Sequence, residues 1–188
     1  RYLLQASVRR DGSSNFGSDV QYGTFYSASV GWNLAKENFF QVDFIDDLKL
    51  RGSYGSVGNR LGLTNYASQG TVGFGSYPGG SSTIPDNVAN PDLSSETTTT
   101  TNIGLELNMF NDRVRLVSDY FIRNTTDLLF AIPTADEAGV GSINGNVGDI
   151  RNKGLEISLQ ADLFRSNDFK WTLGGNIIFL DHEIVKLP

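Results

Sequence analysis

Leu155-Glu156-Ile157-Ser158-Leu159-Gln160-Ala161-Asp162-Leu163 is the stretch whose reading decides the fold. Every odd position is apolar and every even one polar. Successive side chains of a strand point to opposite faces, so this pattern predicts a strand with one apolar and one polar surface. A helical period of 3.6 would scatter the same five apolar residues around a cylinder. Six more segments repeat the alternation on either side. Their apolar rows are Tyr2, Leu4, Ala6, Val8, then Tyr26, Ala28, Val30, Trp32, Leu34, then Leu48, Leu50, Gly52, Tyr54. Further along come Ile103, Leu105, Leu107, Met109, then Val114, Leu116, Ser118, Tyr120, Ile122, and finally Trp171, Leu173, Gly175, Ile177, Phe179. Val117 and Phe121 break the pattern in the fifth segment. Only one short helical turn is expected, between Ala35 and Asp47.

The connections alternate in length. Arg10 to Gly23, Asn59 to Glu96 and Thr125 to Arg151 are long; Ala35 to Asp46, Asn111–Asp112 and Phe164 to Phe169 are shorter. Up-and-down strands with long loops at one end and short turns at the other produce this. Transmembrane β-barrels have that asymmetry, whereas a soluble sandwich has no reason to keep it. Parity supports the pairing. The fourth segment is apolar at odd numbers and the fifth at even ones, so facing residues sum to odd values and the loop is even. Asn111-Asp112 satisfies this and tolerates positive φ. The last two segments are both odd, which predicts an odd loop such as Ser166-Asn167-Asp168.

Composition agrees and excludes much else. Gly 21, Ser 18, Thr 13 and Asn 16 suit turns and loops and disfavour helix interiors. Fifteen basic against 21 acidic residues leave a net charge of −6, unsuited to gripping a phosphate backbone, so no nucleic-acid partner is expected. No cysteine and a single histidine, His182, leave little for thiol, zinc or His-based acid–base chemistry. The longest purely apolar run is Leu128 to Ile132, far short of a membrane-spanning helix. Trp32, Phe110, Phe164 and Trp171 fall towards the short-turn end, and Tyr26, Tyr54, Tyr120 and Phe179 towards the other. Such belts flank the apolar band of a membrane barrel, and aromatic residues also favour strands of any kind. The expectation is an all-β fold of antiparallel up-and-down strands forming part of a large transmembrane β-barrel. Because Arg1 already lies inside an alternating segment, the chain reads as a piece of a longer polypeptide.

Five stretches resemble a known family. RRDGSSNFG (Arg9 to Gly17), LKLRGSYGSVGN (Leu48 to Asn59), NPDLSSET (Asn90 to Thr97), DYFIRNTTDLL (Asp119 to Leu129) and GDIRNKGLEISL (Gly148 to Leu159) are similar, in this order, to the SusC/RagA type of TonB-dependent outer-membrane transporter of Bacteroidetes. One departure is Ser94-Ser95, where the family usually has a charged residue and Trp. The resemblance implies a barrel of about 22 strands around a plug. Residues 1–188 would supply about seven strands or more of it, with the plug and terminal strands elsewhere. It also implies import of large nutrients, oligosaccharides or peptides, powered through the TonB complex, with a SusD-like surface lipoprotein as lid. The expected location is the outer membrane of a Gram-negative, Bacteroidetes-like bacterium, the apolar face against lipid. No enzyme activity, cofactor or metal is expected. The alternative is a soluble β-rich carbohydrate-binding or adhesin-type module.

Candidate residues fall into two groups. Glu106, Arg115, Asp119, Arg123, Glu156 and Asp162, with Lys170, occupy polar faces and would face a barrel lumen. Tyr66, Phe74 and Tyr77 lie in the longest loop, where aromatic rings can stack on sugars or pack the loop together. Three other patterns carry less. Asp11, Asn15 and Asp19 lack the glycine and final glutamate of an EF-hand, because Phe16 and Tyr22 stand there. Asp181-His182-Glu183 in a strand reads as polar surface. Gly139 to Gly145 has no following helix to complete a phosphate cradle.

Overall fold

The computed structural model describes residues 1–60 and 62–187; the side chains of Tyr77 and Asp136 lie outside that description. Among the described residues eleven strands follow one another: β1 Tyr2–Gly12, β2 Tyr22–Asn33, β3 Ile45–Asn59, β4 Thr71–Tyr77, β5 Gly80–Asn87, β6 Glu96–Met109, β7 Val114–Thr126, β8 Leu129–Pro133, β9 Ser142–Asn146, β10 Asp149–Arg165 and β11 Lys170–Lys186. A single seven-stranded antiparallel sheet runs β1-β2-β3-β6-β7-β10-β11, while β4-β5 and β8-β9 are separate hairpins. All seven expected strands are present. The expected helical turn is the 3-10 turn Leu34–Lys36.

Most strands run further towards the long-loop end than the alternation indicated, and the reason lies beyond the apolar band. One hydrogen-bonded row reads Ala6, Ala28, Tyr54, Thr101, Ile122, Lys153, Asp181. At β1 and β2 it crosses the middle of the apolar rows. At β10 and β11 it has left them, and Lys153 Nζ pairs with Asp181 Oδ2 at 2.9 Å. One step beyond, Arg151 pairs with Glu183 at 3.5 Å on the same face. An apolar band cutting diagonally across hydrogen-bonded rows is the signature of strands tilted to the membrane normal, as barrel closure requires.

The short turns follow the expected parity with one revision. Met109 pairs with Val114, so the connection is four residues rather than the two of Asn111-Asp112, still even; Phe110, Asn111 and Asp112 have φ of 59°, 57° and 59°, with the Arg113 N–H donating to Phe110 O. The mirror-image turn matches the right-handed twist of the flanking strands. A bulge at Asp46 turns its carboxylate to accept from the Asp112 N–H at 2.9 Å. Between β10 and β11 the body pairs odd with odd, Leu155 with Phe179 and Ala161 with Leu173. The connection itself is four residues, not odd. A bulge between Asp162 and Phe164 restores the register, so an extra strand residue does what an odd loop would have done.

Aromatic pairs mark the two ends of the sheet. Tyr2–Trp32, Phe44–Phe110 and Phe164–Phe169, at 6.2, 5.8 and 6.0 Å between ring centroids, gather towards the short-turn end. Tyr26–Tyr54 at 6.0 Å lies nearer the other. Between them the outward apolar row is uncovered, Leu4 being 82% exposed.

Candidate functional site

The polar face carries an ionic cluster built by strand register. The row Leu3, Gly31, Arg51, Gly104, Asp119, Glu156, Ile178 crosses all seven strands. Arg51 on β3 and Asp119 on β7 are separated by Gly104 on β6. Lacking a side chain, Gly104 lets Arg51 Nη2 donate to both Asp119 carboxylate oxygens, each at 2.9 Å; a Cβ there would overlap Asp119 Oδ1. Glu106, one row towards the short turns, lies 3.1 Å from Arg51 Nε and 3.6 Å from Lys49 Nζ. Asp162 pairs with Lys170 at 3.0 Å and accepts from Thr172 Oγ1 at 2.7 Å. By register Glu106, Arg115, Asp119, Arg123, Glu156 and Asp162 share one face of the sheet. Glu106, Asp119 and Asp162 form local pairs rather than one convergent centre. Among the described residues Arg115, Arg123 and Glu156 have no ion-pair partner. The two exceptions in the alternation also lie on this face, where Phe121 lays its ring over the bare backbone of Gly154.

Three loops build the second region, at the opposite end from the tight turns. Gly17 N–H donates to Leu93 O at 2.8 Å, and a Cβ on Gly17 would overlap the Pro91 carbonyl. Ser68 Oγ donates to Phe16 O at 3.0 Å. Asn90 Nδ2 donates to Asn144 O at 2.9 Å, and Asn146 Nδ2 donates to Ser94 O and Asp127 O at 2.9 and 3.0 Å. In return Ser94 N–H donates to Asn146 Oδ1 at 2.7 Å, so both backbone groups of Ser94 are bonded to one amide. Glu96 holds both sides of the loop base, accepting from Asn59 Nδ2 and from the Leu129 N–H. Asn side chains suit this work because one amide both donates to and accepts from neighbouring backbone. Phe16, Ala67, Leu93 and Val140 are buried here. These knitting residues escape periodicity, but Phe16, Gly17, Asn90, Pro91, Leu93 and Ser94 lie within two of the quoted motif stretches.

The remaining candidates separate. Tyr66 sits in a turn at the base of the β4-β5 hairpin, whose segment Asn87 ties down through the carbonyls of Tyr66, Ala67 and Gln69. Phe74 stands on β4, and the side chain of Tyr77 is outside the described set. No ring contact joins Tyr66 to Phe74. Asp181 and Glu183 face outward with their cations, while His182 lies on the polar face against Asn152 Oδ1. The triplet therefore does not converge. Asp11 is taken up by Arg9 at 2.7 Å.

The family model described as TonB dependent receptor-like, beta-barrel matches residues 1–184. The chain belongs to the TonB-dependent receptor family. It is 36% identical over 189 residues to TonB-dependent receptor P39 of Formosa agariphila, covering 100% of this chain and 18% of that protein. It is 35% identical over 198 residues to TonB-dependent receptor SusC of Bacteroides thetaiotaomicron, covering 100% of this chain and 20% of that one. The chain thus spans about a fifth of the length of these relatives. The RagAB peptide importer in its closed-closed state superposes with a TM-score of 0.90 at 31% identity, over 99% of this chain and 21% of that one. In its open-open state the same importer gives 0.88, again at 31% identity, over 99% and 20%. The seven-stranded sheet of this TonB-dependent receptor segment is accordingly an open section of a transmembrane barrel.

Proposed function

We propose that residues 1–188 form part of the barrel wall of an outer-membrane transporter that imports large nutrients, oligosaccharides or peptides. TonB-derived energy would reach it through the plug, outside this segment, and a SusD-like surface lipoprotein would serve as its lid. The observation carrying this reading is the inverted sheet: a continuous apolar face outside, a charged and hydroxyl-rich face opposite, and long loops gathered at one end. A hydrated lumen accepts Glu106, Arg115, Asp119, Arg123, Glu156 and Asp162, while hydrocarbon would not. Tyr66, Phe74 and Tyr77 are the nutrient contacts proposed from the sequence. The soluble-module alternative would leave the Leu4, Ile103 and Ile177 rows facing water without a partner sheet.

Topology offers the direct test. In the full-length protein, Ser81→Cys should react with an impermeant maleimide on whole cells. Asn111→Cys should stay unlabelled until the outer membrane is breached. The opposite labelling would invert the orientation, and equal labelling of both in a water-soluble protein would favour the module.

A further inference from the structure

We propose that the three long loops work as one rigid body throughout the transport cycle, with both outer loops pinned to the base of the middle one. The existence of a cycle rests on the transporter reading above; the joints rest on this chain alone. Each loop is first closed on itself. In the first, Ser13 N–H donates to Gln21 O at 3.0 Å and Val20 N–H to Gly17 O at 3.1 Å. In the third, Val147 N–H donates to Leu128 O at 2.8 Å and Leu128 N–H to Gly148 O at 3.2 Å. The middle loop is closed by Asn87, whose amide donates to the carbonyls of Ala67 and Gln69 at 3.0 and 2.7 Å. Asn90 N–H adds a bond to Ser68 O at 3.0 Å.

The joints between loops all hold backbone, not only side-chain tips. The first loop meets the middle one where Gly17 N–H reaches Leu93 O and the Ser68 hydroxyl reaches Phe16 O. The third meets it where the Asn146 amide takes both backbone groups of Ser94, and where Asn144 O accepts from Asn90. A flap opens easily when its contacts are exposed and water can replace them; local opening concentrates where buried apolar contacts are few and backbone bonds face solvent. Here separation would strand the buried Ser68 hydroxyl and uncover Phe16 and Leu93, which are 8% and 0% exposed. A buried polar group left without a partner loses more than a bond exchanged with water returns. Every residue in these bonds lies between 13 and 148, and burial made by a chain's own residues only deepens as more chain is added. Segments 15–17, 66–69, 87–95 and 144–147 therefore keep one arrangement whether or not nutrient is held, and any opening at this end belongs to other segments.

The test places spin labels on the full-length transporter in intact cells. Ser18→Cys with Asp92→Cys spans the first joint, and Ser94→Cys with Asn144→Cys the second; among the described residues none of those four side chains makes a bond between loops. Each pair should show a single separation, the same in resting cells, with added peptone, with added starch oligosaccharides, and with a protonophore that removes TonB-derived energy. A second population or a shifted separation in either pair under any of these conditions would overturn the assignment. Asn146→Ala, built into the second pair, should broaden its separation and speed deuterium exchange at the Ser94 amide about tenfold, the factor expected for one lost hydrogen bond. The Ser18–Asp92 pair and heat-modifiable migration should stay as in wild type. A second joint as tight without the Asn146 amide as with it would also overturn the assignment. If cells lacking the transporter grew on both nutrient mixtures as well as wild type, the transporter reading would lose its support. The separations in resting cells, with and without Asn146, would still decide whether the loops are one body.

Discussion

The sheet and the loop cluster of this chain solve the burial problem in opposite ways. Seven strands of the sheet carry most of the large apolar side chains, yet leave them uncovered along the outward rows. The loops carry few, and bury Phe16, Ala67, Leu93 and Val140. A water-soluble domain would show the reverse. The difference follows from the solvent at each place. On the proposed reading, lipid supplies the missing half of the sheet's packing, so its strands need only satisfy their backbone through ladder bonds. Loops standing in water must make their own interior, and with little apolar surface they rely on Asn amides and close backbone contact. Stability of the sheet is thus tied to the membrane, and that of the loops to local joints.

Substitutions within the sheet should break this contrast most visibly. Leu159→Arg puts a charge on the lipid face and should cost about 2–4 kcal/mol near the midplane, impairing assembly of the full-length protein. Gln160→Arg, one residue away on the polar face, should assemble almost normally. Folded yield and heat-modifiable migration read both. Equal behaviour would undo the one-sided assignment.

In the loops, Gly17→Ala should cost about 1–3 kcal/mol, because the added methyl meets the fixed Pro91 carbonyl rather than a movable side chain. Its effect should be local. Hydrogen exchange should rise at residues 13–21 and 88–95 while the sheet stays protected; a loss of protection along β10 would show the two regions to be one cooperative unit.

Gly104→Ala tests the ionic cluster with a gentler obstacle. The overlapping atoms belong to side chains that can swing away, and Arg51 and Asp119 side chains are 37% and 22% exposed. The expected loss is about 0.5–1.5 kcal/mol, discounted for solvent screening. Asp119→Asn should produce most of it alone, and Gly104→Ala added to Asp119→Asn should cost little more.

The smallest effect concerns Glu37, beside the short-turn end. The indole of Trp32 donates to Glu37 Oε1 at 3.0 Å, the Tyr2 hydroxyl also bonds to it and Arg1 lies 3.4 Å away, holding the carboxyl below its usual value. A depressed acid contributes stability above its unfolded-state pKa and loses it as pH falls through the folded one. Trp32 emission should therefore change below the ordinary glutamate range in the wild type. The same acid titration of Glu37→Gln should be flat in that window.

Much of this was readable before any coordinate. Alternation of period two places a residue on a face whatever the neighbours do, so Leu155 to Leu163 set their two surfaces by sequence alone. Parity likewise placed the Asn111-Asp112 turn. It failed for the β10-β11 connection because a bulge shifts parity as an odd loop does, and nothing in residues 162–169 distinguishes the two. The β4-β5 and β8-β9 hairpins were missed because neither has a long enough one-sided apolar row.

What only the tertiary structure decided depends on distance along the chain. Arg51 meets Asp119 across 68 positions, and Asn90 meets Asn144 across 54. Their chemistry was visible but their partners were not, since a strand's face follows from its own sequence and its neighbours from the register of the whole sheet. The joints of the loop cluster have no periodicity to betray them. Asn90, Asn146 and Gly17 matter through where three separate loops arrive, and local propensity cannot encode that arrival.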